Sequence, residues 1–318
     1  MIDIFDNKFT VGEKRKSTRM WLQQMQRSAL PILRSENYMQ SQFRNKITLI
    51  AYTFPSNEKD FDFIEFAIRQ SWHCLGLLKT VIIADRTTKT LSTFITKYPK
   101  QVSLQIEPTL RPGSLSSMSA DCIERLHERF VTPYCLIIQD DGFPLNGNLE
   151  DFIGKYDYVG APPVRDTPFQ HIIDIFRLSC LNGGFSLRSK CFCQDVAKQW
   201  RFWRHFINQG SISHTEDVFY TNIACRNPLL RLKYNFPSCK KARQFSLPDF
   251  DGAVDIRGMK NKTFGVHGPT AIWQLLSNNQ PAACQPPQRK LIDCRSKVCD
   301  ALFLSLGEVS DHLAAVWC

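Results

Sequence analysis

Apolar residues along this chain gather in short runs, separated by segments whose apolar positions recur every three or four residues. The first run, Ile47-Thr48-Leu49-Ile50-Ala51-Tyr52-Thr53-Phe54, stops at Pro55 and reads as a buried strand. Phe61, Ile64, Ile68 and Trp72 then follow at helical spacing. Val81-Ile82-Ile83-Ala84 is a second strand, ending at Asp85. A helix is expected around residues 89–97, a strand near 102–106 and a helix over roughly 116–130. Cys135-Leu136-Ile137-Ile138 forms the next strand and runs into Gln139-Asp140-Asp141-Gly142. Strands alternating with helices build βαβ units, so the fold class is α/β with a mostly parallel central sheet.

Beyond residue 150 the pattern is less regular. Tyr156-Asp157-Tyr158-Val159-Gly160-Ala161-Pro162-Pro163 and Leu181-Asn182-Gly183-Gly184-Phe185-Ser186-Leu187-Arg188 precede a helix near 190–207 and another starting about Glu216. From Asn278 to Pro287 the composition turns to Asn, Gln and Pro, a linker signal, and a helical tail over roughly 295–316 closes the chain. Three parts follow: a basic helical N-terminal extension over 1–45, a single domain over 46–278, and a linker with a helical tail over 279–318. At 318 residues and 43% hydrophobic content the chain can bury a full core, and 23 phenylalanines rule out a disordered protein.

Charge adds a preference for anions, since the net value is +10. The excess is strongest where Lys14, Arg15, Lys16, Arg19, Arg27 and Arg34 face only Glu13 and Glu36, interleaved with Trp21, Leu22, Met25 and Leu30. That basic amphipathic stretch, broken at Pro31, suits either an anionic membrane surface or a helix packed on the domain with its basic face in water. No nucleic-acid recognition motif accompanies the charge, so nucleic acid is not an expected partner. The 12 cysteines include no C-x-x-C pair, and Cys74, Cys135 and Cys225 sit in apolar runs, which suits reduced, buried thiols rather than zinc ligands. With no signal peptide and no apolar stretch long enough to span a bilayer, the expected location is the cytoplasm, with or without membrane association.

Asp140 and Asp141 carry the first candidate chemistry. Adjacent carboxylates at the carboxyl end of a buried strand resist joint ionisation unless a cation bridges them. A hard cation, Mg²⁺ or Mn²⁺, is the natural partner and usually arrives with phosphates; the competing reading is a polar turn. A Walker B strand would need a P-loop upstream and a dinucleotide fold would need G-x-G-x-x-G, and neither is present. Gly183-Gly184 permits a close backbone approach, or is an ordinary turn. In His214-Thr215-Glu216-Asp217 the acids either favour a helix start or include a general base. His267, between Gly265 and Gly268, is either structural or an accessible metal ligand.

Taken in order, strand-Asp-Asp, Gly-Gly-Phe-x-Leu, Glu-Asp-Val-Phe and Phe-Gly-x-His-Gly resemble GT-A glycosyltransferases. The layout is similar to that of inverting β-1,3-glycosyltransferases. It most resembles an uncharacterised glycosyltransferase-like family sharing QDDGFP, YDYVGAP, NGGFSLR and EDVF, over roughly residues 46–275. The resemblance implies a single GT-A (Rossmann-like) domain and a metal-dependent hexosyl transfer, with inversion, from a nucleotide-diphosphate sugar, UDP-linked in most such enzymes, to a hydroxyl of a glycan or glycoconjugate. It implies Asp141, Asp140 and His267 as metal residues for Mn²⁺ or Mg²⁺. Asp217 would be the base, with Glu216 beside it. Thr53, Asp85, Gln139 and Asp140 would contact the nucleotide-sugar, and Asn182, Gly183, Gly184 and His214 the sugar pocket. Gln139 stands where a strict D-x-D motif has its first acid. A catalytically silent carbohydrate- or nucleotide-sugar-binding protein of the same fold is the alternative, with a basic nucleic-acid-binding protein, resting on the net charge alone, behind it.

Overall fold

β-branched runs buried on both faces require helices on either side of a sheet, and the first two strands meet that condition at every position. The computed structural model describes residues 11–54, 61–110, 115–162, 182–203, 216–224, 227–247 and 263–272. All of them lie in the first of two compact units, Met1–Pro286. The helical tail expected over 295–316 falls outside the described residues, as does His214.

The described elements begin with α1 (Val11–Ser35), β1 (Ile47–Thr53), α2 (Phe61–Leu75), β2 (Thr80–Ala84), α3 (Lys89–Lys97), β3 (Val102–Ile106) and α4 (Leu115–Glu124). β4 (Tyr134–Ile138), β5 (Gly142–Pro144), β6 (Tyr158–Gly160), β7 (Ser186–Ser189) and α5 (Lys190–Trp203) follow. β1 to β4 pair in parallel and β7 joins them antiparallel, giving the order β3-β2-β1-β4-β7-β6. The protein is therefore α/β with a mostly parallel six-stranded sheet. A smaller sheet, β5-β9-β8, adds β8 (Ser246–Leu247) and β9 (Gly265–His267). Phe185 stacks on Phe245 and Phe264 with ring centroids 5.2 and 5.8 Å away, which ties the segment before β7 to this second sheet.

Two expectations are revised. Pro31 does not break α1, which continues to Ser35. A proline inside a helix costs about 3 kcal/mol, and burial of Leu30 and Leu33 on either side holds the helix against that cost. The helix expected over 116–130 ends at Glu124 and gives way to a tighter turn, Leu126–Glu128. That turn brings Arg129 back onto Asp121 and Glu107. α1 packs on α2 with Leu22, Gln26, Leu30 and Leu33 buried, the packed-helix arrangement that is one of the two its sequence allows.

No described helix is long and apolar enough to cross a membrane. Among the described cysteines Cys122, Cys135, Cys193 and Cys239 are buried and Cys191 is exposed.

Candidate active site

Chain order decides where a ligand can enter. From β1 the chain steps outward to β2 and β3, then returns to place β4 on the other side of β1. The crevice between the carboxyl ends of β1 and β4 is thus a topological switch point, where open α/β sheets take their ligands. Ala51 pairs with Ile138, so Thr53, which is buried, and Asp140 each lie two residues further along the two strands that border it.

Asp140 and Asp141 form the tip of a hairpin. Gln139 N–H donates to the Gly142 carbonyl at 2.9 Å and Gly142 N–H to the Gln139 carbonyl at 3.1 Å, leaving the two acids as the turn itself. β5 then pairs with β9 so that Gly142 faces His267, and Gly268 N–H donates to the Asp141 carbonyl at 2.8 Å. A strand register, not sequence proximity, therefore carries His267 to the acid turn. His267 Nε2 lies 3.8 Å from Asp141 Oδ1 and 3.1 Å from Gln139 Oε1. The Gln139 amide can present either its oxygen or its NH₂ to that nitrogen, so either imidazole tautomer is accommodated.

Two glycines make room for the ring. A Cβ on Gly142 would stand 2.8 Å from His267 Cδ2, and one on Gly184 would run into His267 Nε2 and Gln139 Oε1. The neighbouring Gly183 is closed on its other side, because a Cβ there would run into Glu216 Oε1 and Arg188 Nη2. Asn182 shapes this loop by accepting the Gly184 N–H at 2.8 Å. The glycine pair read from sequence is therefore a close approach of backbone to two separate clusters, and it links them.

Arg188 is the hub of the second cluster. It is fully buried on β7, with Nη2 donating to Glu216 Oε1 at 2.9 Å and to the Gly183 carbonyl at 3.2 Å. Its guanidinium lies over the rings of Tyr220 and Tyr158 at 4.3 and 5.1 Å. Glu216 consequently faces inward, and burial pushes its carboxyl up to about 7 against the pull of Arg188. It accepts from Arg188, which in turn donates to the glycine loop at the Gly183 carbonyl. Asp217 is half-buried beside it, in a short helix (Glu216–Val218) that passes into a π-helical turn, Phe219–Ala224.

The remaining strand end is Asp85. Its Oδ2 accepts from Arg86 Nε at 2.8 Å, whereas Oδ1 is buried with no hydrogen-bond partner among the described residues. A carboxylate oxygen stripped of water and unpaired is costly, and a ligand hydroxyl or amide would satisfy it.

Asp140 is in contact with α1. Its carboxylate is taken by Arg19 of α1, with Nη2 2.5 Å from Oδ2, and the Arg19 Nη1 lies 3.7 Å from Asp141 Oδ2. Gln26 Nε2 donates to the Asp140 carbonyl. Burial, then the neighbouring Asp141, push the Asp140 carboxyl up to about 6, against Arg19 and His267. Among the described residues no three His, Cys, Asp or Glu side chains converge on one metal position. Asp141 and His267 are a carboxylate–imidazole pair, 3.8 Å apart, that could supply two ligands. That suits a divalent ion of the kind completed by substrate phosphates and water rather than by a protein cage.

Arg19, Gln26 and Arg188 were not singled out in the sequence. Arg188 stood inside the NGGFSLR string, where Phe185-Ser186-Leu187-Arg188 alternates apolar and polar residues and a charge reads as solvent-facing. Arg19 was hidden among the other N-terminal basic residues.

Residues 115–267 match a family described as "Protein of unknown function (DUF5672)". No curated protein matches the sequence. Among solved structures, the chain is similar to the mannosyltransferase PcManGT from Pyrobaculum calidifontis in complex with GDP-Man and Mn²⁺, at 11% identity and TM-score 0.37, covering 66% of this chain and 61% of that one. It is similar to S. aureus TarS 1-349 in complex with UDP-GlcNAc, at 11% identity and TM-score 0.33, covering 47% of each chain. It is also similar to the S. cerevisiae mannosyltransferase Ktr4p in complex with GDP, at 10% identity and TM-score 0.38, covering 68% of this chain and 74% of that one. The chain thus spans about half to three-quarters of the length of these structures.

Proposed function

We propose that this protein is a glycosyltransferase that moves a sugar from a nucleotide-diphosphate donor to an acceptor hydroxyl with inversion. The observation that carries the reading is the acid turn at the β1/β4 switch point, faced across a strand register by His267. The orphaned Asp85 Oδ1 at the end of β2 adds an acceptor for a nucleoside hydroxyl or base amide on the same edge.

Asp141 and His267 would hold a divalent ion, Mn²⁺ or Mg²⁺, which when bound neutralises the diphosphate of the leaving group. Asp217 is the proposed base. As the acceptor oxygen bonds to the anomeric carbon, its proton passes to the Asp217 carboxylate. The bond from that carbon to the diphosphate oxygen breaks, and the electron pair leaves with the nucleoside diphosphate. Attack from the face opposite the leaving group inverts the anomeric centre, through a state with oxocarbenium character. Glu216 and Arg188 keep the glycine loop and the Asp217 segment in place.

A panel of nucleotide-sugars incubated with Mn²⁺ tests the reading, with nucleoside diphosphate release as the signal. Release should depend on one donor class and fall to background in Asp141→Ala. Asp217→Asn should lose ~10²–10⁴ in transfer rate with donor affinity nearly intact, the usual worth of a positioned base. No release from any donor, or unchanged transfer in Asp217→Asn, would reject the enzyme reading or the base, respectively.

A further inference from the structure

Arg19, Leu22, Gln26, Leu30 and Leu33 form one continuous face of α1 at steps of three and four residues. The last four are buried in the domain, and at Arg19 the same face reaches the acid turn. There the guanidinium bridges both carboxylates, 2.5 Å from Asp140 and 3.7 Å from Asp141, while Gln26 fastens the helix to the Asp140 carbonyl two turns further on. The acid pair therefore already has a cation, and the chain itself supplies it.

A guanidinium offers five N–H donors and no lone pair, so it cannot join a coordination sphere. It can only compete with a metal for the same oxygens, and a divalent ion placed among them would repel it. Half of the Arg19 side chain is exposed, which leaves it free to swing into water, whereas Asp141 is only 14% exposed and is held beside His267.

We propose that Arg19 is a tethered counter-cation, and that its seat on Asp140–Asp141 and a divalent ion at Asp141–His267 exclude one another, so that α1 gates the acid turn. The proposal rests on the transferase reading for the reason a divalent ion comes to this turn, but it needs no turnover. Metal entry takes the carboxylates from Arg19, and the Arg19 end of α1 loosens while Leu30 and Leu33 keep the rest of the helix in the domain.

The test is calorimetric titration of the full-length protein with MnCl₂ alone, without nucleotide. Arg19→Ala should bind Mn²⁺ on the order of tenfold more tightly than wild type, the scale of one unit charge acting across a partly exposed site. Arg19→Lys, which keeps the charge without the fork, should fall between the two. Arg27→Ala removes a charge from the same helix, where the guanidinium lies over Phe63 at 5.0 Å, and should leave the affinity unchanged. Hydrogen exchange supplies a readout independent of affinity: Mn²⁺ should speed exchange of the amides around residues 19–26 in wild type. Equal Mn²⁺ affinity in wild type and Arg19→Ala, equal gains in Arg19→Ala and Arg27→Ala, or unaltered exchange of α1 would each overturn the gate. If Mn²⁺ loosens α1 yet no nucleotide-sugar is cleaved, the gate stands and the transferase reading falls. If Mn²⁺ binds neither wild type nor Arg19→Ala, both fall.

Discussion

Gly184 sets how close His267 and Gln139 come to the backbone of the loop before β7, and its missing side chain is what the arrangement depends on. A methyl group there needs space that both residues occupy, and neither can yield without leaving the acid turn. Gly184→Ala should therefore keep the fold, at a cost of about 1–3 kcal/mol for overpacking, and weaken binding of a nucleoside diphosphate with Mn²⁺ by tenfold or more. Calorimetry beside a urea melt separates the two effects. Gly183→Ala offers the contrast, since its Cβ would strike the buried Glu216–Arg188 pair. Its damage should appear first as lost stability, because displacing one partner of a buried ion pair strands the other charge.

At the scale of elements, the end of β3 and the region after α4 are joined by buried charge. Glu107, just past β3, accepts hydrogen bonds from Arg129 and Arg125, and Arg129 also reaches Asp121, whose carboxylate accepts from the Tyr52 hydroxyl on β1 at 2.9 Å. The Arg129 hydrogen bond is the largest influence holding Glu107 down at about 2, below the ordinary 4.5. A carboxylate with a depressed folded pKa contributes stability that is whole above the unfolded value and disappears as pH falls through the folded one. The acid limb between about 4.5 and about 2 should accordingly carry a loss of a few kcal/mol that Glu107→Gln flattens. Denaturant midpoints taken across that pH range check it; an unchanged acid limb in Glu107→Gln would remove the network from the account. The same network explains the early end of α4, because a straight helix through residue 128 would carry Arg129 away from Asp121 and Glu107.

Across the molecule, the candidate site draws on the ends of β1, β2 and β4, the loop before β7, β9 and α1, so a ligand held there ties together parts far apart in sequence. Ligand binding to the folded state alone raises stability by mass action, by about 2.7 kcal/mol at a hundredfold excess over the dissociation constant. UDP or GDP with Mn²⁺ should raise the melting temperature of the wild type, EDTA should reverse the gain, and Asp141→Ala should show none. A melting temperature indifferent to every nucleoside diphosphate with Mn²⁺ would count against a donor site at the switch point.

Much of this architecture was legible in local pattern. The runs at Ile47–Thr53, Thr80–Ala84 and Tyr134–Ile138 are apolar and β-branched, and Phe61–Leu75 keeps helical period, so hydrophobic burial by itself specifies strands, helices and their alternation. Alternation in turn specifies a parallel sheet, and a parallel sheet puts Thr53, Asp85 and the acid pair on one edge. The sequence could also place Asp140 and Asp141 in a turn, because Gly142 and Pro144 bound it. Tertiary structure alone decided what those acids face. His267 arrives through the pairing of β5 with β9, Arg188 meets Glu216 under Gly183, and Arg19 comes down on the acid pair from a helix 121 residues away in sequence. Periodicity reports which face of an element is buried, but a charged residue at the margin of that face looks the same whether it ends in water or on a carboxylate. Only the packing of α1 on the domain distinguishes the two for Arg19.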